Sequence, residues 1–512
     1  MYIRQEYYLW KLAYELVSQF NFDILHMERE KSEIWLEKEE KGERHIFRLM
    51  HSAFNWRNEL RRDLDNVIQQ IRKNNKLLGG RNVHVHCLYV SQYPPVDEWE
   101  NVDVKTDGLL KKLHIHYLDD EEKQKDDLRI SPVLADVRVN GGEQLDGAEM
   151  ESYVAYFKEQ LAALQQKKIK EVQEIFSFGK PLFTYILLAI NLLMFAWLEM
   201  AGGSTSVRTL IEMGAKYNPA IIDGEWWRII SSMFLHIGVF HLLMNMLALY
   251  YLGMAVEQIF GSVRFLIIYF LAGIFGGLAS FAFNPSVAAG ASGAIFGLFG
   301  ALLYFGLKNK RIFFQTMGYN LIFIITINVV FGFAVPQIDN GAHLGGLVGG
   351  FLASAMVSLP KRKEALKQVL SIIVYTAAVL FLVYTGVAGE NSGEFGLAEV
   401  QFSQELIDEK QFEEAIGRTT DALENPGMYE AELLFNRSFA FTQTEDLASA
   451  QADLEKVIEL RPEMAEAHYN LALIYQANEL LDLAINHATE AARLNPDEEQ
   501  FKELAEKLSN TE

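Results

Sequence analysis

Between residues 182 and 387 the chain carries seven apolar segments, at 182–201, 239–260, 263–283, 291–307, 317–333, 342–359 and 369–387. Each is close to the ~20 residues that an α-helix needs to cross the hydrocarbon core of a bilayer. Lipid offers a backbone no hydrogen-bond partners, so these segments are expected to be helices. The centre of the 512-residue chain is therefore predicted to be a polytopic α-helical membrane bundle, with polar sequence on either side. Whole-chain composition, 50% hydrophobic and 22% charged, conceals this because the apolar residues crowd the middle and the charges crowd the ends. A net charge of −21 excludes nucleic-acid partners, which require clustered Lys and Arg to neutralise phosphates. The single cysteine, Cys87, leaves neither an intramolecular disulfide nor a cysteine-built zinc site, so histidine is the metal ligand to watch.

Positive charge between the segments sets an expected orientation. The connections after the second, fourth and sixth segments carry Arg264, then Lys308, Lys310 and Arg311, then Lys361, Arg362, Lys363 and Lys367. Those after the third and fifth carry none. This predicts a cytoplasmic N-terminal part and, after seven crossings, an extracytoplasmic C-terminal part. The opening residues lack an uninterrupted apolar run, so no cleaved signal peptide is expected.

Polar side chains inside such segments need a partner or a task. Ser292 lies between glycines at the start of the fourth segment, in Ala289-Gly290-Ala291-Ser292-Gly293-Ala294-Ile295-Phe296-Gly297. His343 opens the sixth, in Asn340-Gly341-Ala342-His343-Leu344-Gly345-Gly346. His241 and Asn245 share one face of the second segment at i, i+4 spacing, and Trp227-Arg228 lies in the long loop before it. Gly293/Gly297, Gly345/Gly349 and Gly346/Gly350 repeat at four-residue spacing, which lets helix backbones approach closely and brings Ser292 within reach of His343. A serine hydroxyl becomes a nucleophile when a base accepts its proton, and His343 is that base in a dyad with no evident carboxylate orienter.

The combination of Trp227-Arg228, His241-xxx-Asn245, Gly290-x-Ser292-Gly293 and Ala342-His343 resembles the rhomboid family of intramembrane serine proteases. Tyr251-Leu252-Gly253, Glu257, and Gly261 before Arg264-Phe265 are also similar to the family pattern. The resemblance implies an oxyanion hole made of the Ser292 backbone N–H with the side chains of His241 and Asn245. It also implies membrane-protein substrates, cleaved near the outer end of a locally unstable transmembrane helix, and no cofactor for catalysis. One departure stands out: some members have a tyrosine four residues after the serine, and this chain has Phe296. A catalytically silent, client-binding scaffold of the same fold is the alternative, and loss of the dyad would mark it. A channel or transporter would place paired charges or broken helices at mid-membrane, and the sequence has none.

The N-terminal part, 1–178, reads as an α+β domain: an amphipathic opening helix, a three-stranded antiparallel meander, a helix over 56–78 ending at Gly79-Gly80, and strands at 83–90 and 113–117. Seven of the twelve histidines lie here. His84 and His86, like His114 and His116, stand at i, i+2 spacing and project from one face of a strand. Two readings stay open. If the two strands are neighbours, four imidazoles converge on a regulatory divalent cation, with Asp119 and Asp120 as further oxygen donors. Otherwise the histidines simply alternate with core residues on a half-exposed sheet.

After the membrane part, 179–388, comes a polar linker at 389–394, then self-similar sequence with a period of 34 residues: Asn436, Phe441, Ala450, Val457 and Pro462 recur as Asn470, Tyr475, Ala484, Ala491 and Pro496. This resembles tetratricopeptide repeats, all-α helix pairs that present a groove to a protein or peptide partner. A degenerate unit is expected over 397–428 and a capping helix over 498–508. The expected protein is thus a multi-pass protein of a bacterial cell membrane, with 389–512 as its extracytoplasmic repeat domain.

Overall fold

The computed structural model describes residues 2–40, 42–74, 80–99, 102, 108, 110–118, 145–335, 338–362, 364–388 and 396–510. It divides into two compact units, Met1–Glu174 and Ile175–Glu512. Gly79, Asp119, Asp120, Lys363 and the 389–394 linker lie outside the described residues.

The first unit runs α1 (Tyr2–Ser18), β1 (Asp23–Glu28), β2 (Glu33–Glu40), β3 (Glu43–His51), α2 (Arg57–Lys73), β4 (Gly80–Val90), β5 (Leu110–Leu118) and α3 (Gly147–Ile175). The five strands lie in sequence order. β1, β2 and β3 are antiparallel, as the alternating segments predict, while β3, β4 and β5 are parallel. A parallel pair needs a crossover connection, and α2 supplies it between β3 and β4. α1 buries Leu9, Leu12 and Leu16 with Val154, Phe157 and Leu161 of α3 against Phe47, Leu49 and Leu88 of one sheet face. α2 buries Leu60, Leu64, Val67 and Ile71 against Ile46, Val85 and Cys87 of the other. Buried Arg48 fastens α2 to the sheet, donating to Asp63 at 2.5 and 3.0 Å and to Glu33 at 2.7 Å, so its charge is paired on both sides. α2 ends at Lys73, short of the expected 78.

The second unit begins with α4 (Leu182–Ala201), followed by the loop helices α5 (Val207–Glu212), α6 (Asn218–Ile222) and α7 (Arg228–Ser231). Then come α8 (Gly238–Ala248), continuing through a π-turn into α9 (Met254–Phe260), α10 (Ser262–Phe283), α11 (Ser292–Lys308), α12 (Lys310–Thr316), α13 (Gly318–Ala334), α14 (Asn340–Val357) and α15 (Ala365–Ala388). All seven apolar segments are helical, and among the described residues four helices are long and apolar enough to cross a membrane on their own: Leu182–Ala201, Gly238–Phe260, Ser262–Phe283 and Ala365–Ala388. A fifth is reached if α12 and α13, bent by 75°, count as one span. The two left out are those that carry Ser292 and His343. α11 has 17 residues, of which 13 are buried, and α14 is diluted by Asn340, His343 and five glycines. α11 is largely enclosed by other helices, whereas α14 buries 6 of its 18 residues, four of them glycines.

Burial differs among the long helices: 67% of the apolar window of α10 is buried, against 22% of α4 and 17% of α15. Glu257, fully buried, caps the start of α4 by accepting from Phe183 N (3.0 Å), Thr184 N (2.8 Å) and Thr184 Oγ1 (2.7 Å). Basic side chains gather where α11 ends: Lys308 meets Glu364 at 2.5 Å, Arg362 donates to Asn309 at 2.8 Å, and Arg264 reaches Val357 O at 3.3 Å. Ser292 is at the opposite end of α11.

The repeat domain stacks α16 (Gly396–Asp408), α17 (Phe412–Ala422), α18 (Glu430–Gln443), α19 (Leu447–Leu460), α20 (Ala465–Ala477), α21 (Leu481–Leu494) and α22 (Glu499–Ser509). Small residues let the pairs close: Ala450, Ala467, Ala472, Ala484 and Ala488 are wholly buried among Leu454, Val457 and Leu471. The degenerate first pair and the terminal capping helix expected from the sequence are both helical. The first pair rests on the loop between α4 and α8, where Ile211 and Tyr217 share an apolar seam with Ala398, Phe402, Leu406 and Ile407.

Candidate active site

Ser292 is the first residue of α11, and the chain entering it is held on both sides. Gly290 N donates to Ser232 O at 2.9 Å, and Ala291 N reaches His236 Nε2 at 3.4 Å. Gly290 has φ +154°, and a Cβ there would come within 2.7 Å of His241 Cε1 and 3.8 Å of Ser292 Oγ. Glycine is needed at this position on both counts: it accepts the conformation, and it leaves open the space between His241 and Ser292.

His343 lies one turn into α14. The Asp339 side chain caps that helix by accepting from Ala342 N at 2.9 Å, and Ser280 Oγ donates to the same carboxylate. α14 is pressed against α11 backbone to backbone. A Cβ on Gly346 would overlap Gly293, one on Gly350 would overlap Gly297, and one on Gly293 would lie 3.3 Å from Ala342 O. The His343 ring stacks on Phe296, with centroids 4.1 Å apart and planes 10° from parallel. Phe296 follows Ser292 by one helical turn, so its ring holds the imidazole beside the serine's helix. Ser292 Oγ and His343 share no direct hydrogen bond among the described residues.

Asn245 is buried and donates one N–H to His241 O at 3.0 Å, which leaves the second N–H of the amide for another acceptor. The His241 ring meets His236 edge to face at 5.4 Å. Trp227 and Arg228 lie further off and hold the loop. Arg228 is buried, donates to Ile211 O (2.6 Å), Ala215 O (3.3 Å) and Glu225 (2.5 Å), and lies over the Trp227 ring at 4.9 Å.

The geometry therefore assembles a hydroxyl at a helix N-terminus, an imidazole fixed by stacking, and a second imidazole, His241, across the space that Gly290 leaves open beside Ser292. The Rhomboid domain family matches residues 223–360, and the Tetratricopeptide repeat family matches 431–464 and 465–498. Rhomboid protease GluP of Bacillus subtilis (strain 168) is 36% identical over 511 residues, covering 99% of this chain and 98% of that protein. The chain belongs to the rhomboid family. RHOMBOID-like protein 1 of Arabidopsis thaliana is 45% identical over 148 residues, 28% of this chain and 38% of that protein. RHOMBOID-like protein 2 of the same plant is 40% identical over 150 residues, 28% and 47%. This rhomboid is an intramembrane serine protease, and its substrates are membrane proteins.

Three residues of the rhomboid site escape a reading of its sequence. His236, fully buried, accepts from the N–H next to Ser292, so its proton is on Nδ1. Lys216, 1% exposed, pairs its backbone with Ala288 in both directions and donates from Nζ to Asn284 O (2.5 Å) and Ser286 O (2.9 Å). Asp339 fixes the start of α14. A loop histidine, a loop lysine and an interhelical aspartate look like ordinary surface residues until the fold buries the first two and sets the third at the start of α14.

In the first unit, β4 and β5 are neighbours, and His86 is paired directly with His114. Ring nitrogens of His86, His114 and His116 all come within 4.8 Å of one another. His84 stands outside this triad, bonded to His114 at 3.3 Å and 3.4 Å from Glu43. His45, opposite His84 on β3, contacts His86 at 3.2 Å and extends the cluster. Burial, then the neighbouring imidazoles, lowers His86 to about 2 and His116 to about 4. Burial, then Lys112 and the neighbouring rings, lowers His114 to about 4. At neutral pH all three are uncharged, with lone pairs available to a cation.

Gly290→Ala tests the gap beside Ser292. Cleavage of a reconstituted membrane client should fall by roughly 10²-fold, the cost of misplacing a reacting group, while the protein still elutes as a folded species. Full activity would show that the gap is not used.

Proposed function

We propose that Ser292 is the nucleophile and His343 the general base of a dyad that cleaves client transmembrane helices near their outer end. The observation that carries this reading is the Phe296–His343 stack, which holds an imidazole against the helix that begins at Ser292. As a client carbonyl enters, the serine hydroxyl rotates toward His343, tightening a contact that is open in the free enzyme. His343 takes the Oγ proton as Oγ attacks the carbonyl carbon. The oxyanion accepts from Ser292 N–H, from His241 and from the second amide N–H of Asn245. His343 then protonates the leaving amine, and water hydrolyses the acyl-enzyme by the same relay. The scissile peptide must leave its helix to reach Ser292, so clients with locally unstable helices are favoured.

In this reading residues 1–178 form a cytoplasmic regulatory domain, 179–388 the seven-span protease and 389–512 an extracytoplasmic repeat domain that recruits client proteins or peptides in a bacterial cell membrane. The basic cluster where α11 ends supports that sidedness through the preference of Lys and Arg for the cytoplasmic face.

A second element of the proposal is a regulatory divalent cation held by His86, His114 and His116, with His84 alongside. Buried His86 Nδ1 and His116 Nε2 have no hydrogen-bond partner among the described residues, which fits nitrogens reserved for a metal. A bound ion would tie β4 to β5 through neutral imidazoles.

In proteoliposomes with a transmembrane client, Ser292→Ala should abolish cleavage and Asn245→Ala should lower it roughly 10²-fold. Equal cleavage by the unaltered protein and Ser292→Ala would end the dyad reading. For the metal, titrating the full chain with Co²⁺ should give a visible absorption band that a His86→Ala/His114→Ala double variant lacks; no band in the unaltered protein removes the site.

A further inference from the structure

The first repeat pair does more than rest on the membrane part. Ser206 caps the start of α5, and the Glu405 carboxylate of α16 accepts from Ser206 Oγ (2.7 Å), Val207 N (2.8 Å) and Arg208 N (3.1 Å). These backbone donors have no partner inside α5, so a residue of the repeat domain completes a helix of the protease loop. Arg208 reaches back to Glu409 at 2.6 Å and Gln411 at 2.7 Å. At the other end of the loop, Tyr217 OH donates to buried Glu399 of α16, and Arg418 of α17 closes that group at 2.7 and 3.0 Å.

Lys216 immediately precedes Tyr217. Its backbone and Nζ hold residues 284–288, and two residues further on Gly290 and Ala291 deliver the chain to Ser292. Val287 is packed against the same apolar seam as Phe402 and Tyr217. The loop is thus clamped between the repeat domain on one side and the segment entering the serine on the other.

We propose that Glu399 and Glu405 of the first repeat are positioning residues for Ser292, acting through the 206–217 loop and Lys216, so that the repeat domain tunes the chemistry as well as recruiting clients. This rests on Ser292 being the nucleophile. Repacking or pulling the first repeat when a protein partner binds the array changes the hold on 284–290 and with it the placement of the serine. Such coupling is established by perturbing one end and reading the other.

The test uses the full chain in detergent and a small fluorophosphonate, which phosphonylates an active serine, releases fluoride and needs no client recruitment. Glu399→Ala/Glu405→Ala should slow labelling of Ser292 and lower kcat for a transmembrane client by about tenfold, with a smaller change in KM. Glu405→Gln, which keeps an acceptor oxygen, should recover part of the rate, and Glu409→Gln, which loosens only an exposed ion pair, should label at the unaltered rate. Lys216→Met, on the protease side of the contact, should match the double variant, with Lys216→Arg recovering part. Labelling within twofold of the unaltered protein, with only KM raised, would overturn the proposal and leave the repeats as recruiters. Absence of label at Ser292 in the unaltered protein would instead overturn the dyad. Size-exclusion profiles that match the unaltered protein accompany each variant, and loss of labelling through unfolding alone, without recovery in Glu405→Gln or Lys216→Arg, counts against it.

Discussion

Everything at the candidate site depends on two helices touching through their backbones. α11 and α14 meet at Gly293, Gly297, Gly346 and Gly350, where any side chain would meet a carbonyl or backbone carbon of the other helix. In lipid, burial of apolar surface does little to drive helices together, so close van der Waals approach between small residues does the holding. That approach sets the Phe296–His343 stack and fixes how far the imidazole lies from the helix of Ser292. The two helices that bear Ser292 and His343 are not among those long and apolar enough to cross a membrane on their own among the described residues, and 13 of the 17 residues of α11 are buried.

A second constraint is the satisfaction of polar groups around that core. Glu257 closes the start of α4, Asp339 the start of α14, and Lys216 and His236 the chain that enters α11. Each removes an unpaired backbone donor or acceptor that would be costly at the edge of a membrane. Glu405 does the same for α5 from a different domain, so the repeats are built into the loop system instead of hanging from α15.

The apolar helices, the repeats and the rhomboid family were legible in the sequence because each leaves a strong signature: bilayer thickness fixes the length of apolar runs, stacking fixes the 34-residue period, and polar residues recurring at set places along the apolar runs carry the family pattern. What stayed hidden comes from long-range contact. Strand register puts His45 beside His84 and His86, and no spacing within one strand reveals a parallel neighbour across a helical crossover. Lys216 looks like a solvated loop residue until the 284–288 segment folds over it. Glu399 and Glu405 read as the polar face of a repeat helix until the loop docks there. Among the described residues four of the seven apolar segments give helices long and apolar enough to cross a membrane on their own, because α11 stops at 17 residues and α14 is diluted by Asn340, His343 and five glycines.

The most direct measurement is the location of the adduct formed when the reconstituted protein reacts with diisopropyl fluorophosphate. Peptide mapping by mass spectrometry is expected to find one diisopropylphosphorylated residue, Ser292, and no adduct in His343→Ala, where the base is missing. An adduct on a different residue, or undiminished labelling of Ser292 in His343→Ala, would contradict the account of a serine activated by the histidine stacked beside it.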